Sequence, residues 1–91
     1  MNQAAKRIIF KGRVQGVGFR FIALDIANRY NLAGRVCNLL DGTVEMIAQA
    51  PSEDIDDCLR DIKEAFAGYI RETKIEEITL NPRYTDFKIT F

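Results

Sequence analysis

The sequence predicts an α+β sandwich, with two helices packed on one face of an antiparallel sheet. Three features carry that expectation. Two stretches hold apolar residues at helical spacing, the stretches around them alternate apolar with polar residues, and Asp41-Gly42 marks a tight reversal between two alternating runs. Each helix has one apolar stripe to bury, and a sheet with one apolar face covers both.

The first element is a strand over residues 6–14, where Ile8, Phe10 and Val14 point one way and Arg7, Ile9, Lys11 and Arg13 the other. A helix follows from about 20 to 31, beginning at Phe19 or Arg20. Phe19, Ile22, Ala23, Ile26, Ala27 and Tyr30 recur along it at helical spacing, and Asn31 suits a left-handed helix end. Residues 34–38 and 43–50 read as two strands of a hairpin, because Asp41-Gly42 adopts positive φ at little cost. Val44, Met46 and Ala48 share one face of the second strand.

The second helix has the clearest pattern, with Ile55, Cys58, Leu59, Ile62 and Phe66 on one stripe. Ser52 is its expected cap, acids fill its first turns, and Gly68 ends it. Cys58 lies on that stripe as a small buried hydrophobe. Residues 70–80 form another extended run, Pro82 breaks it, and residues 87–91 alternate as a closing strand. The order is β-α-β-β-α-β plus a C-terminal strand, that of a ferredoxin-like α/β sandwich.

Bulk composition narrows the function. A chain of 91 residues with 47% apolar content holds one core, so a single domain over 1–91 is expected. No run is long enough to span a membrane and no secretory signal opens the chain, so a cytoplasmic protein is expected. Cys37 and Cys58 stand apart and histidine is absent, which argues against zinc, haem and a disulfide framework. A cysteine nucleophile would also lack its usual imidazole base. Net charge is zero, yet residues 1–38 carry seven basic side chains against the single acid Asp25. That imbalance points to an anion near the first helix.

"GRVQGVGFR", residues 12–20, lies in this basic part. It is neither a dinucleotide fingerprint, which would need glycine where Phe21 stands, nor a P-loop, which would need Lys-Ser/Thr where Phe19-Arg20 stands. Gly16 and Gly18 allow the backbone between strand and helix to turn its N–H groups inward. Such a nest, with the free donors of a helix N-terminus, accepts phosphate or carboxylate. Arg20 in the first helical turn opposes the helix dipole, a conflict that a bound anion removes. Asn38 ends a strand just before Asp41-Gly42, where asparagine commonly bonds its own backbone. Beside the mouth of the loop its amide would instead hold a water or a substrate oxygen, and local sequence favours the turn role.

Together with "LAGRVCNLLDGTVE", residues 32–45, this stretch closely resembles the two signatures of the acylphosphatase family. The first, G-x-V-Q-G-V-x-F-R, matches without a gap from Gly12 to Arg20. The second, G-(aromatic)-V-x-N-x-x-D-G, matches at Gly34, Val36, Asn38, Asp41 and Gly42. The resemblance implies a hydrolase that cleaves acyl phosphates to a carboxylate and inorganic phosphate. It places phosphoryl binding on Arg20 with the backbone amides of Gln15, Gly16, Val17, Gly18, Phe19 and Arg20, and positioning of the attacking water on Asn38. No metal or cofactor is implied, and the substrate's own phosphate takes the water's proton. Such chemistry suits a chain without histidine, because the leaving group is good and positioning with charge stabilisation suffices.

The expected partner is therefore a small acyl phosphate, with no nucleic acid, no membrane and no second copy. Three positions depart from the family pattern: Arg35 replaces an aromatic residue, Cys37 a frequent basic residue, and Leu40 a common proline. Arg35 bears on local packing, and the other two flank Asn38. By alternation Arg35 and Cys37 share a face, and Cys37 is expected to be a bystander. The alternative reading is a non-catalytic ferredoxin-like binding module for RNA or a small anionic ligand. RNA-binding domains of this topology need aromatic residues on a central strand, and "GTVEMIAQA", residues 42–50, has none. The large carbamoyltransferases of hydrogenase maturation share the first signature but carry further domains, for which 91 residues leave no room.

Overall fold

The computed structural model describes residues 3–91. In chain order the elements are β1 (Gln3–Gly12), α1 (Phe19–Arg29), β2 (Ala33–Asn38), β3 (Val44–Pro51), α2 (Ser52–Ala65), β4 (Ile70–Glu77) and β5 (Phe87–Ile89). One five-stranded sheet runs in the order β4-β1-β3-β2-β5. The predicted element order and the two-layer arrangement are both present. Among the described residues no helix is long and apolar enough to cross a membrane.

One expectation needs correction. The sheet is mixed, because β5 pairs parallel to β2, with Gly34 opposite Phe87 and Val36 opposite Ile89. The other three pairings are antiparallel. The reason lies in the connection 78–86. The last strand before it, β4, ends at the sheet end where β2 begins. The connection crosses there, held by a two-way bond between Asn81 and the Gln49 amide, 2.6 Å from Asn81 N to Oε1 and 3.0 Å from Nε2 to Asn81 O. The Asp86 carbonyl then accepts from Gly34 N over 2.8 Å, and the chain must run alongside β2 in the same direction.

The core fills the space between sheet and helices. From the sheet come Ile8, Phe10, Val36, Val44, Met46 and Ala48; from the helices Phe19, Ala23, Ile26, Ile55, Cys58 and Ile62, all buried. Phe19 joins the layers, its ring centroid 5.0 Å from that of Phe10 and 4.6 Å from that of Phe66. Burying such a ring contributes about 2–3 kcal/mol. The start of α1 is thereby pinned to the core. Its far end closes at Asn31 with φ 56°, as the sequence predicts. Ile22 departs from the expected stripe and is 41% exposed, because Phe19, Ala23 and Ile26 take the sheet-facing line and leave it at the margin.

The predicted Ser52 cap is also corrected. Pro51 occupies the capping position, with φ −53° and ψ 139°, and Ser52 is already helical with no side-chain cap made. The chain passes from β3 into α2 with no intervening loop, so the cap falls on the last strand residue, a proline with no side chain able to bond the helix start. Glu53 and Asp54 complement the dipole instead.

Candidate active site

Residues 13–18 connect the end of β1 to the start of α1, and neighbouring elements hold both sides of the connection. Arg13 N donates to Tyr69 O over 2.8 Å, and Val14 is buried. The Gln15 side-chain amide reaches away from the loop and donates to Leu39 O at 2.8 Å and Thr43 O at 2.9 Å. Those carbonyls flank the β2–β3 turn. The loop and the strand end carrying Asn38 are thus joined directly.

Gly16 and Gly18 both have φ 77°, and nothing lies within 4 Å of where a Cβ would stand at either position. Glycine is required there by backbone conformation and not by crowding, since a side chain in the left-handed region costs about 1–2 kcal/mol. Gly18 caps α1 in that conformation, no side chain bonds the helix start, and its first turn holds no acid. The first intrahelical bond runs from Ile22 N to Gly18 O. The amides before it are left to a ligand or solvent. This is the positive helix end that the sequence predicts, without a side-chain cap and without the two first-turn acids that α2 carries.

Arg20 lies in that turn. Among the described residues it forms no ion pair, whereas Arg7, Arg29, Arg35 and Arg60 each hold a carboxylate. Its guanidinium instead lies 5.1 Å from the ring centroid of Phe91. An arginine at a helix N-terminus, facing no acid and beside free amides, is arranged for an oxyanion.

Asn38 closes β2 opposite Val44. Its Oδ1 is buried and has no hydrogen-bond partner. The turn role that local sequence favours falls to another residue. Asp41 Oδ1 accepts from Thr43 N at 3.0 Å and Thr43 Oγ1 at 2.6 Å, and the Thr43 hydroxyl and amide hold the Asp41 carboxyl below its usual range. Since Asp41 stabilises the turn, the Asn38 side chain is spared. A buried acceptor left unsatisfied costs about 1–3 kcal/mol, a cost that a bound donor such as water relieves.

Two of the three departures, Arg35 and Cys37, belong to a separate cluster on the sheet face away from the helices, whereas Leu40 is fully exposed. Glu45 accepts from Arg7 Nε at 2.6 Å and pairs with Arg35 at 2.7 Å, and Arg35 Nε also donates to the Tyr84 hydroxyl at 3.3 Å. Cys37 is buried beneath, its Sγ 3.0 Å from an Arg35 nitrogen. An arginine in place of an aromatic residue therefore forms an ionic cluster with a carboxylate across the sheet.

Two features of the site escape sequence reasoning. The Gln15 side chain is a tether, a role no local signal marks. Phe91 reaches Arg20 because β5 runs parallel to β2, and alternation along residues 87–91 carries no information about strand direction.

Comparison with known proteins finds relatives over nearly the whole chain. The family model described as Acylphosphatase matches residues 6–89. An acylphosphatase of Treponema denticola is 40% identical over 86 residues, covering 93% of this chain and 90% of that protein. One from Chlorobaculum tepidum is 37% identical and covers 98% of each. The crystal structure of acylphosphatase from Bacillus subtilis superposes with a TM-score of 0.88 at 32% identity, covering 97% of this chain and 99% of that one.

Proposed function

The chain belongs to the acylphosphatase family, hydrolases of acyl phosphates, and from that premise we propose that Arg20, the Gln15–Arg20 amides and Asn38 carry out the hydrolysis. The phosphoryl group lies on the loop amides at the start of α1, with the Arg20 guanidinium spanning its oxygens. Asn38 Oδ1 accepts a hydrogen bond from a water and holds it for attack on phosphorus. As the new P–O bond forms, the bond between phosphorus and the acyl oxygen breaks and the carboxylate leaves with the electron pair. The water's proton passes to a phosphate oxygen, giving a carboxylate and inorganic phosphate. Positive charge and oriented amides aimed at the phosphoryl oxygens lower the barrier, and a held water removes the entropy of a bimolecular encounter.

The observation that carries this reading is the buried, unpartnered Oδ1 of Asn38, joined through Gln15 to a loop whose arginine has no acid partner. No trio of metal-ligating side chains occurs among the described residues, and the chemistry needs none. The same reading takes the chain as a single domain over 1–91, working as a cytoplasmic monomer on a small molecule. It leaves nucleic acid no part: Glu45, Ile47 and Gln49 of β3 are buried on the sheet face away from the helices, where an RNA-binding domain of this topology would carry stacking aromatics.

The test is phosphate release from acetyl phosphate in the presence of a chelator, comparing the natural sequence with Arg20→Ala and Asn38→Ala. Loss of activity by about a hundredfold or more in both variants is expected. A folded protein no faster than its variants would sink the assignment. A salt-sensitive gel shift with single-stranded RNA would favour the binding module instead.

A further inference from the structure

Of the two strands at the sheet edges, β4 is the longer. Its pairing with β1 sets Ile8 opposite Ile75, Arg7 opposite Glu76 and Ile9 opposite Lys74. Ile75 therefore shares the helix-covered face with Ile8, and Lys74 and Glu76 share the other. Ile78 N donates to Ala5 O over 2.9 Å, so the even-numbered residues of β4 turn their backbone groups to β1. Thr73, Ile75 and Glu77 turn theirs outward, where among the described residues no strand meets them.

The helices leave Ile75 uncovered. It is 48% exposed, because α2 packs over β1 and β3 and only borders the groove that Ile75 lines with Leu59, Lys63 and Ala67. A free strand edge with an uncovered apolar residue at its middle is a template for a further strand, unless its charges repel one. Among the described residues Lys74 forms no ion pair, whereas Glu76 holds Arg7 and remains mostly exposed.

We infer that this edge takes β4 of a second copy of the chain, antiparallel, with the two-fold axis through Ile75. In that register Ile75 faces its counterpart on the helix-covered face, and each Lys74 faces the other copy's Glu76 on the opposite face. The outward N–H and C=O groups of Thr73, Ile75 and Glu77 meet as hydrogen-bonded pairs. The neighbouring registers lack this match. An axis through Lys74 opposes Lys74 to Lys74 and Glu72 to Glu76, and aligns backbone groups already bonded to β1. An axis through Thr73 sets Ile75 against Arg71. A two-fold contact needs a surface that complements itself, and the charges of β4 do so around Ile75. One strand edge is a small interface, so the pair forms as concentration rises. Each copy keeps a complete catalytic site and works as a monomer does.

Sedimentation equilibrium of the natural sequence up to about 1 mM tests this. The mass is expected to rise toward twice that of one chain, and a mass that stays at one chain overturns the inference. Lys74→Glu opposes carboxylates and Glu76→Lys opposes ammonium groups, so each variant alone, checked for fold by circular dichroism, is expected to bind itself about tenfold more weakly. Mixed in equal amounts, the two variants oppose unlike charges at both positions, and association is expected to return. A mixture no more associated than its components overturns the inference. Amide hydrogen exchange needs no variant: Thr73, Ile75 and Glu77 are expected to exchange more slowly as concentration rises. Rates independent of concentration at these three positions overturn it as well.

Discussion

Gln15 and Leu39, 24 residues apart in the chain, are joined by a 2.8 Å hydrogen bond from the Gln15 amide to the Leu39 carbonyl. The same amide also reaches Thr43 O, so one side chain holds the loop before α1 against the turn that follows Asn38. It fixes the spacing between the two parts of the proposed site, the loop before α1 and Asn38, which belong to different elements.

Replacing Gln15 with alanine leaves two part-buried carbonyls without this donor. A loss of about 1–3 kcal/mol in stability is expected. Catalysis is expected to fall about tenfold or more, because small misplacements of reacting groups are costly. Denaturant unfolding and steady-state kinetics on the same preparation measure the two effects separately. Unchanged kinetics in a destabilised variant would show that the tether has no part in positioning.

Arg20 and Asn38 are expected to be costly for the fold and necessary for the reaction. Asn38→Leu removes an unsatisfied buried acceptor, so its melting temperature should equal or exceed that of the natural sequence while activity is lost. Arg20→Ala relieves a cation at a helix N-terminus, worth a few tenths of a kcal/mol to about 1, and gives up a stacking contact of similar size. Its melting temperature should therefore hardly move. A marked fall in either melting temperature would identify that residue as structural.

Acid should weaken the fold through Glu45. Burial raises its carboxyl, but hydrogen bonds from Arg7 and Arg35 more than offset this, and the group is held below its usual range. A folded value below the unfolded one adds stability above the unfolded pKa of about 4.3, and this is lost as pH falls through the folded value. Melting temperature should thus decline below about pH 5. Asp41 and Asp61 are shifted in the same direction, so Glu45→Gln should flatten the decline without abolishing it. At neutral pH that variant is expected to cost about 3 kcal/mol, since Arg35 then sits half-buried without its carboxylate. A pH profile identical to that of the natural sequence would contradict this account.

Neither cysteine should react in the native state. Both are buried, and burial with the nearby Asp61 charge pushes the Cys58 thiol up to about 12. Thiol reagents at pH 8 are expected to modify the protein only on the timescale of unfolding, and both positions rapidly in denaturant. Mass spectrometry of the labelled protein follows this, and fast native labelling of Cys37 would show that the face bearing Arg35 opens.

Much of this site is legible in the sequence because its parts are local. Gly16 and Gly18 mark a bend, Phe19 an anchor and Arg20 a cation without local reason, all within a few residues of one another. Asn38 is less legible. Its neighbours Asp41 and Gly42 predict a turn in which asparagine would serve equally well, and only the bonds from Thr43 to Asp41 show that its amide is spared. Ser52 misleads for the opposite reason: it has the chemistry of a cap, but the path from β3 into α2 puts Pro51 in that position.

The sequence by itself determined the element order, the apolar faces that build the core, and the left-handed glycines before α1. These follow from periodicity and backbone sterics, which act over one or two turns of chain. Tertiary structure decided the direction of β5, the tether from Gln15, the ionic cluster around Glu45 and the approach of Phe91 to Arg20. Each depends on where a connection crosses the sheet, and alternation along a strand is the same in either direction.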